Sequence, residues 1–75
     1  MDARQSRMAR AALKWTLDDV ARASGLGRAT LARFELGQQV SLDTVQRLRQ
    51  AYEAERVRFI DKGTFKGGVS LIQAV

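Results

Sequence analysis

Three groups of residues in this chain have types and spacings that could do chemistry. Asp18 and Asp19 are adjacent carboxylates, a pairing that general acid–base catalysis uses. Gly63 to Gly68 is a glycine-rich stretch, as phosphate-cradling loops are. Arg28 and Arg33 flank Ala29, Thr30 and Ala32, so two long guanidinium forks stand among small side chains.

The first two groups have simpler structural explanations. Adjacent carboxylates at a helix start serve as caps and complement the helix dipole. The glycine stretch lacks the Gly-Lys-Ser/Thr ending by which a P-loop holds phosphates and magnesium, and a hairpin turn accounts for it. Histidine and cysteine are both absent. The common nucleophile–base pairs cannot then be built, nor can the usual zinc sites or a disulfide. A protein that is not an enzyme and needs no cofactor or metal is expected.

The arginines are different. A guanidinium fork matches both phosphate oxygens and the guanine edge, and ten of the thirteen basic residues are arginine in a chain of net charge +5 and pI near 10.8. Polyanions become the favoured partners. No apolar run is long enough to span a bilayer, and the start, MDARQSRMAR, has no secretory apolar stretch. A cytoplasmic protein is expected.

The elements that must position these arginines can be read from glycine punctuation, since proline is absent. Helix one is expected over Ala3 to Lys14, with Met8, Ala9, Ala12 and Leu13 inward and Arg4, Gln5 and Arg7 outward. Thr16 and Asp19 form a capping box for helix two, which Leu17, Val20 and Ala21 bury. Gly25 is placed to take positive φ. The helix from Arg28 to Leu36 turns Leu31, Phe34 and Glu35 to one side and Arg28, Ala29, Ala32 and Arg33 to the other. Ser41 caps helix four, with Leu42, Val45, Leu48, Ala51 and Tyr52 inward. Trp15 is expected in the core as well.

After Glu55 the apolar period changes to two, Val57 and Phe59 on one strand and Val69 and Leu71 on another, which predicts a β-hairpin around DKGTFKGG. The fold class expected is mainly α: four helices and a C-terminal β-hairpin, with residues 1–56 as the core unit and 57–75 as a hairpin of the same domain. Two short helices joined by a glycine turn, the second with small and basic residues outward, form a module able to enter the DNA major groove.

The segment WTLDDVARASGLGRATLARFELG resembles the lambda-repressor and Cro-like helix-turn-helix family, also called the xenobiotic-response-element type, and the likeness extends over about residues 5–55. The Trp-Thr start, the Val20-Ala21 pair, the Ala-Ser-Gly-Leu turn, the Arg-Ala-Thr-Leu run and the Phe-Glu-Leu-Gly end carry it. By that resemblance Arg28, Ala29, Thr30 and Arg33 would read base edges. Thr16, Leu17, Gln38, Gln39, Ser41 and Thr44 would face phosphates. The resemblance also implies a structural ion pair between Arg10 and Glu35. Leu17 departs from the family's frequent glutamine, so a phosphate contact is lost that Lys14 or Arg4 could replace. Gly27 stands where a serine or threonine commonly caps the recognition helix.

A homodimeric transcriptional regulator, a repressor on an inverted repeat in a prokaryotic or phage-like nucleoid setting, is the function these expectations describe. A small domain without disulfide or metal draws support from oligomerisation, and an isolated hairpin needs packing or pairing. Val57, Phe59, Ile60, Val69, Leu71 and Ile72 are the expected dimer contacts. The alternative is an antitoxin or adaptor that binds a protein partner through residues 57–75.

Overall fold

A computed structural model describes residues 1–71. Four helices, α1 (Ala3–Leu13), α2 (Leu17–Ser24), α3 (Arg28–Glu35) and α4 (Leu42–Ala54), lead into two strands, β1 (Val57–Phe59) and β2 (Val69–Leu71). The strands pair antiparallel in the register Val57↔Leu71, Arg58↔Ser70 and Phe59↔Val69. The mainly helical class with a terminal hairpin agrees with the sequence expectation.

Local chemistry starts and stops each helix. Asp2 caps α1 in a capping box with Gln5, whose side chain accepts from the Asp2 amide at 3.1 Å. Thr16 and Asp19 do the same for α2, the Thr16 N–H donating to Asp19 Oδ2 at 2.8 Å and the Asp19 N–H to Thr16 Oγ1 at 3.2 Å. Gly25 ends α2 at φ +72°, a left-handed conformation that glycine adopts without a Cβ penalty. Gly27 opens α3 with no side-chain cap, and the Ser41 hydroxyl accepts from the Thr44 N–H at 3.1 Å to open α4. Lys14 and Arg56 take positive φ just past the ends of α1 and α4 without being glycine.

The core is built from Ala9, Val20, Leu31, Phe34, Leu48, Tyr52, Val57 and Phe59. Trp15 is half-buried against it, its ring centroid 6.2 Å from that of Tyr52, which also meets Phe59 edge-on at 6.0 Å. Strand β1 packs on α4 and β2 on α1. The Gln5 amide nitrogen donates to the Gly68 carbonyl at 3.2 Å, which ties the hairpin to α1.

Several inward and outward assignments change. Gln5 is buried, because it both completes the α1 cap and clasps the hairpin. Ser6 and Ala9 make the inner face of α1, while Met8 and Ala12 are exposed: the buried stripe is rotated toward Ser6 by the polar network described below. Leu42 is 73 % exposed, since the first residue of α4 stands at the rim where the chain arrives from the α3–α4 loop. Val57 and Phe59 lie inside the chain's own core, so a second copy cannot reach them in this arrangement; the expected contact set narrows to half-buried Ile60, Val69 and Leu71. Ile72 lies outside the described residues.

Candidate nucleic-acid interface

Helix α3 buries Leu31, Phe34 and Glu35 and leaves Arg28, Ala29 and Arg33 exposed, with Thr30 and Ala32 half-buried between them. An eight-residue helix held by two apolar side chains and one carboxylate thus turns two guanidinium groups outward. Alanine at 29 and 32 keeps the surface between them low, so a backbone-to-groove approach is not blocked by bulk. Both arginines have partners within the chain. Arg28 Nη1 lies 3.4 Å from Asp18 Oδ1 in α2, and Arg33 Nη2 donates to Thr30 Oγ1 at 3.4 Å.

The other end of α3 is fixed by a buried polar network. Arg10 meets Glu35 through two parallel contacts, Nε to Oε2 at 3.1 Å and Nη2 to Oε1 at 2.9 Å, a fork-to-carboxylate geometry that sets angle as well as distance. Ser6 Oγ donates to Glu35 Oε2 at 3.0 Å and lies 3.1 Å from the Tyr52 hydroxyl. Arg7 Nη1 donates to the Glu35 carbonyl, and Arg10 Nη1 donates to the Trp15 carbonyl at 3.3 Å. One carboxylate therefore ties α3 to α1 directly and, through Ser6, to α4. Among the described residues no buried side-chain polar atom lacks a partner.

The ionisation equilibria follow this geometry. The hydrogen bond to Glu35 raises the Arg10 pKa above its usual value, against the opposing effect of burial. Burial pushes the Tyr52 phenol up, because a phenolate would be poorly solvated there. At the α2 cap, the Thr16 backbone N–H holds Asp19 below the ordinary aspartate range, aided by the Thr16 hydroxyl and by Arg22 at 2.6 Å.

The residues expected to face phosphates fall around this helix pair. Lys14 and Thr16 are exposed at the entry to α2, and Gln38, Gln39 and Ser41 are exposed in the α3–α4 loop. Leu17 is half-buried against the core, so what it can offer a phosphate is its first-turn amide rather than its side chain. Ser41 and Thr44 hold one another, hydroxyl to hydroxyl at 2.8 Å. Reasoning from sequence missed four participants: Ser6, Arg7 and Tyr52 in the Glu35 network, and Asp18 beside Arg28. The Asp2-x-x-Gln5 spacing was a readable signal for the α1 cap but not for the burial of Gln5; nothing in a lone serine marks it as a buried partner.

The helix-turn-helix family model HTH_3 matches residues 7–57, more than half of the chain. The chain belongs to this family, the lambda-repressor-like or xenobiotic-response-element type. Its class is that of DNA-binding transcription regulators, a regulatory domain family that is not typically enzymatic. A comparison with curated proteins found no match. Among the described residues no helix is long and apolar enough to cross a membrane.

Proposed function

We propose that the chain binds double-stranded DNA sequence-specifically as a homodimer, placing two copies of α3 in successive major grooves about 34–36 Å apart over an inverted repeat. The single observation that carries this reading is the division of α3, with Leu31, Phe34 and Glu35 buried and Arg28, Ala29 and Arg33 facing out. Arg28 and Arg33 read guanine edges, Ala29 and Thr30 line the approach, and Lys14, Thr16, Gln38, Gln39, Ser41, Thr44 and the Leu17 amide hold phosphates. Repression follows from occupancy, since a protein seated over a promoter excludes polymerase. The dimer forms at the hairpin, where Ile60, Val69 and Leu71 are only half covered by their own chain.

Selection of bound duplexes from a random pool tests the reading directly. The expected product is a symmetric motif with guanines, its half-sites one helical turn apart. Arg33→Ala is expected to cost about 1–3 kcal/mol of binding and to relax preference at one position per half-site, with folding unchanged. An equal loss on every sequence would make Arg33 a phosphate contact. A pool that yields no motif, or a chain that purifies only in complex with another protein, would overturn the proposal.

A further inference from the structure

We infer that Asp18 determines base specificity at α3 by holding Arg28, a step that rests on the reading of α3 as the helix that meets base edges. The Arg28–Asp18 pair joins the first turn of α2 to the first residue of α3 across the Gly25–Gly27 turn. Asp18 has no part in the α2 cap, which Thr16 and Asp19 make between them, and Asp19 carries its own arginine, Arg22. Among the described residues Arg28 is the one cation within ion-pair distance of Asp18. Gly27 supplies no side-chain cap, so no such bond anchors the start of α3 either.

A carboxylate beside a helix that meets DNA works against binding, because phosphates lie well within the roughly 8–10 Å over which charges act at ordinary ionic strength. The pair removes that penalty only while it is kept. A guanidinium has five N–H donors, and Asp18 engages Nη1, so donors remain for the O6 and N7 acceptors of guanine. On a duplex with guanine at the right place, Arg28 binds the base edge and stays with Asp18. On other sequences Arg28 is drawn to a phosphate instead, and Asp18 is left as a bare anion facing the backbone. The carboxylate thus penalises the wrong complex, which is how a repulsive group creates specificity.

Arg33 supplies the contrast within the same helix. Its neighbour Thr30 is neutral, so Arg33 can leave for a phosphate without uncovering a charge. Discrimination through Arg33 is therefore milder and independent of Asp18.

The test compares wild type, Asp18→Asn and Arg28→Ala, each on the best duplex recovered from a random pool and on a scrambled one, with base preference measured for all three. Asparagine keeps the shape and loses the charge, and a thermal melt checks that the fold is intact. Asp18→Asn is expected to bind the scrambled duplex several-fold tighter, with the gain shrinking as salt is added. The ratio of specific to scrambled binding should fall about tenfold. Guanine preference should relax at the one position per half-site that Arg28→Ala also loses. If Arg28→Ala loses a position and Asp18→Asn leaves both that position and the ratio unchanged, the inference is overturned while the reading of α3 stands. If Arg28→Ala changes no base position, the inference is overturned, and the reading of α3 falls with it only if Arg33→Ala changes none either.

Discussion

The helix-turn-helix core and the hairpin are held by opposite means. Each of α1, α2 and α4 starts on its own side-chain cap, and α3, which lacks one, is locked at its far end by Glu35 to Arg10 and Ser6. The hairpin has two strands of three residues each, too short to stand alone, and exists because Val57 and Phe59 complete the helical core while Gln5 grips Gly68. Local signals therefore start α1, α2 and α4, whereas α3 and the hairpin depend on tertiary contacts made across the chain. The two should respond differently to substitution.

The largest response is expected at Glu35, where the contrast predicts a global rather than a local failure. Glu35→Ala removes the carboxylate that joins α3 directly to α1 and, through Ser6, to α4; it strands the Arg10 charge and leaves Ser6 with Tyr52 alone. Losing one partner of a buried ion pair costs roughly 3–5 kcal/mol. Because the Arg10 side chain keeps 26 % exposure and can regain water, a value near the lower end is expected. Denaturant unfolding should show the midpoint fall with the slope unchanged. A loss of DNA binding at full stability would place Glu35 in recognition instead.

Next comes Gly68, at the base of the hairpin loop. A Cβ added there would stand 3.0 Å from the Phe65 carbonyl oxygen and 3.5 Å from Ile60 Cδ1, and a backbone oxygen held by the Gly68 amide at 2.9 Å has little room to retreat. Gly68→Ala is expected to cost about 1–3 kcal/mol. Amide exchange should then quicken first at Ile60, Gly67 and Gly68, whose N–H groups donate within the hairpin, while α2 and α3 keep their protection. Uniform loss of protection would show that hairpin and helices open as one unit.

How much of this was legible depended on whether the signal was local. The Thr16–Asp19 box, the Gly25 turn, the Ser41 cap and the two sides of α3 follow from neighbours three or four residues apart, and the sequence pattern was enough. Gln5 and Ser6 were hidden because their partners lie 63 and 29 residues away, at Gly68 and Glu35. A polar residue in a helix reads as solvent-facing until its distant partner is known. Val57 and Phe59 were correctly seen as one face of a strand, but periodicity cannot say whether that face meets its own chain or a second copy. Its spacing from Thr16 gave Asp19 to the cap, but only the fold gives the adjacent Asp18 to Arg28.

A smaller gain is expected at Arg56, where α4 hands over to β1. Its φ of 66° lies in the left-handed region, which costs a side chain that glycine would not carry. Arg56→Gly should stabilise the fold by about 0.5–1 kcal/mol, set against the greater freedom glycine gives the unfolded chain. The effect belongs to the junction of the two regions, so it should raise the single melting transition without altering DNA preference. A destabilised variant would mean that the Arg56 side chain contributes more than its backbone costs.

The smallest effect sharpens the comparison from the helical side alone, through pH. Asp19 is held below its ordinary range by the Thr16 N–H and hydroxyl and by Arg22, whereas in the unfolded chain it titrates near 3.9. A depressed folded pKa means that its contribution is complete above the unfolded value and disappears as pH falls through the folded one. Between about pH 5 and 2, the wild type should lose thermal stability by an increment that Asp19→Asn does not show, because asparagine has no proton to take up. Asp18→Asn, which leaves the box intact, should keep that increment. If both variants lost it equally, the cap would not be the source, and the local origin assigned to the start of α2 would fail.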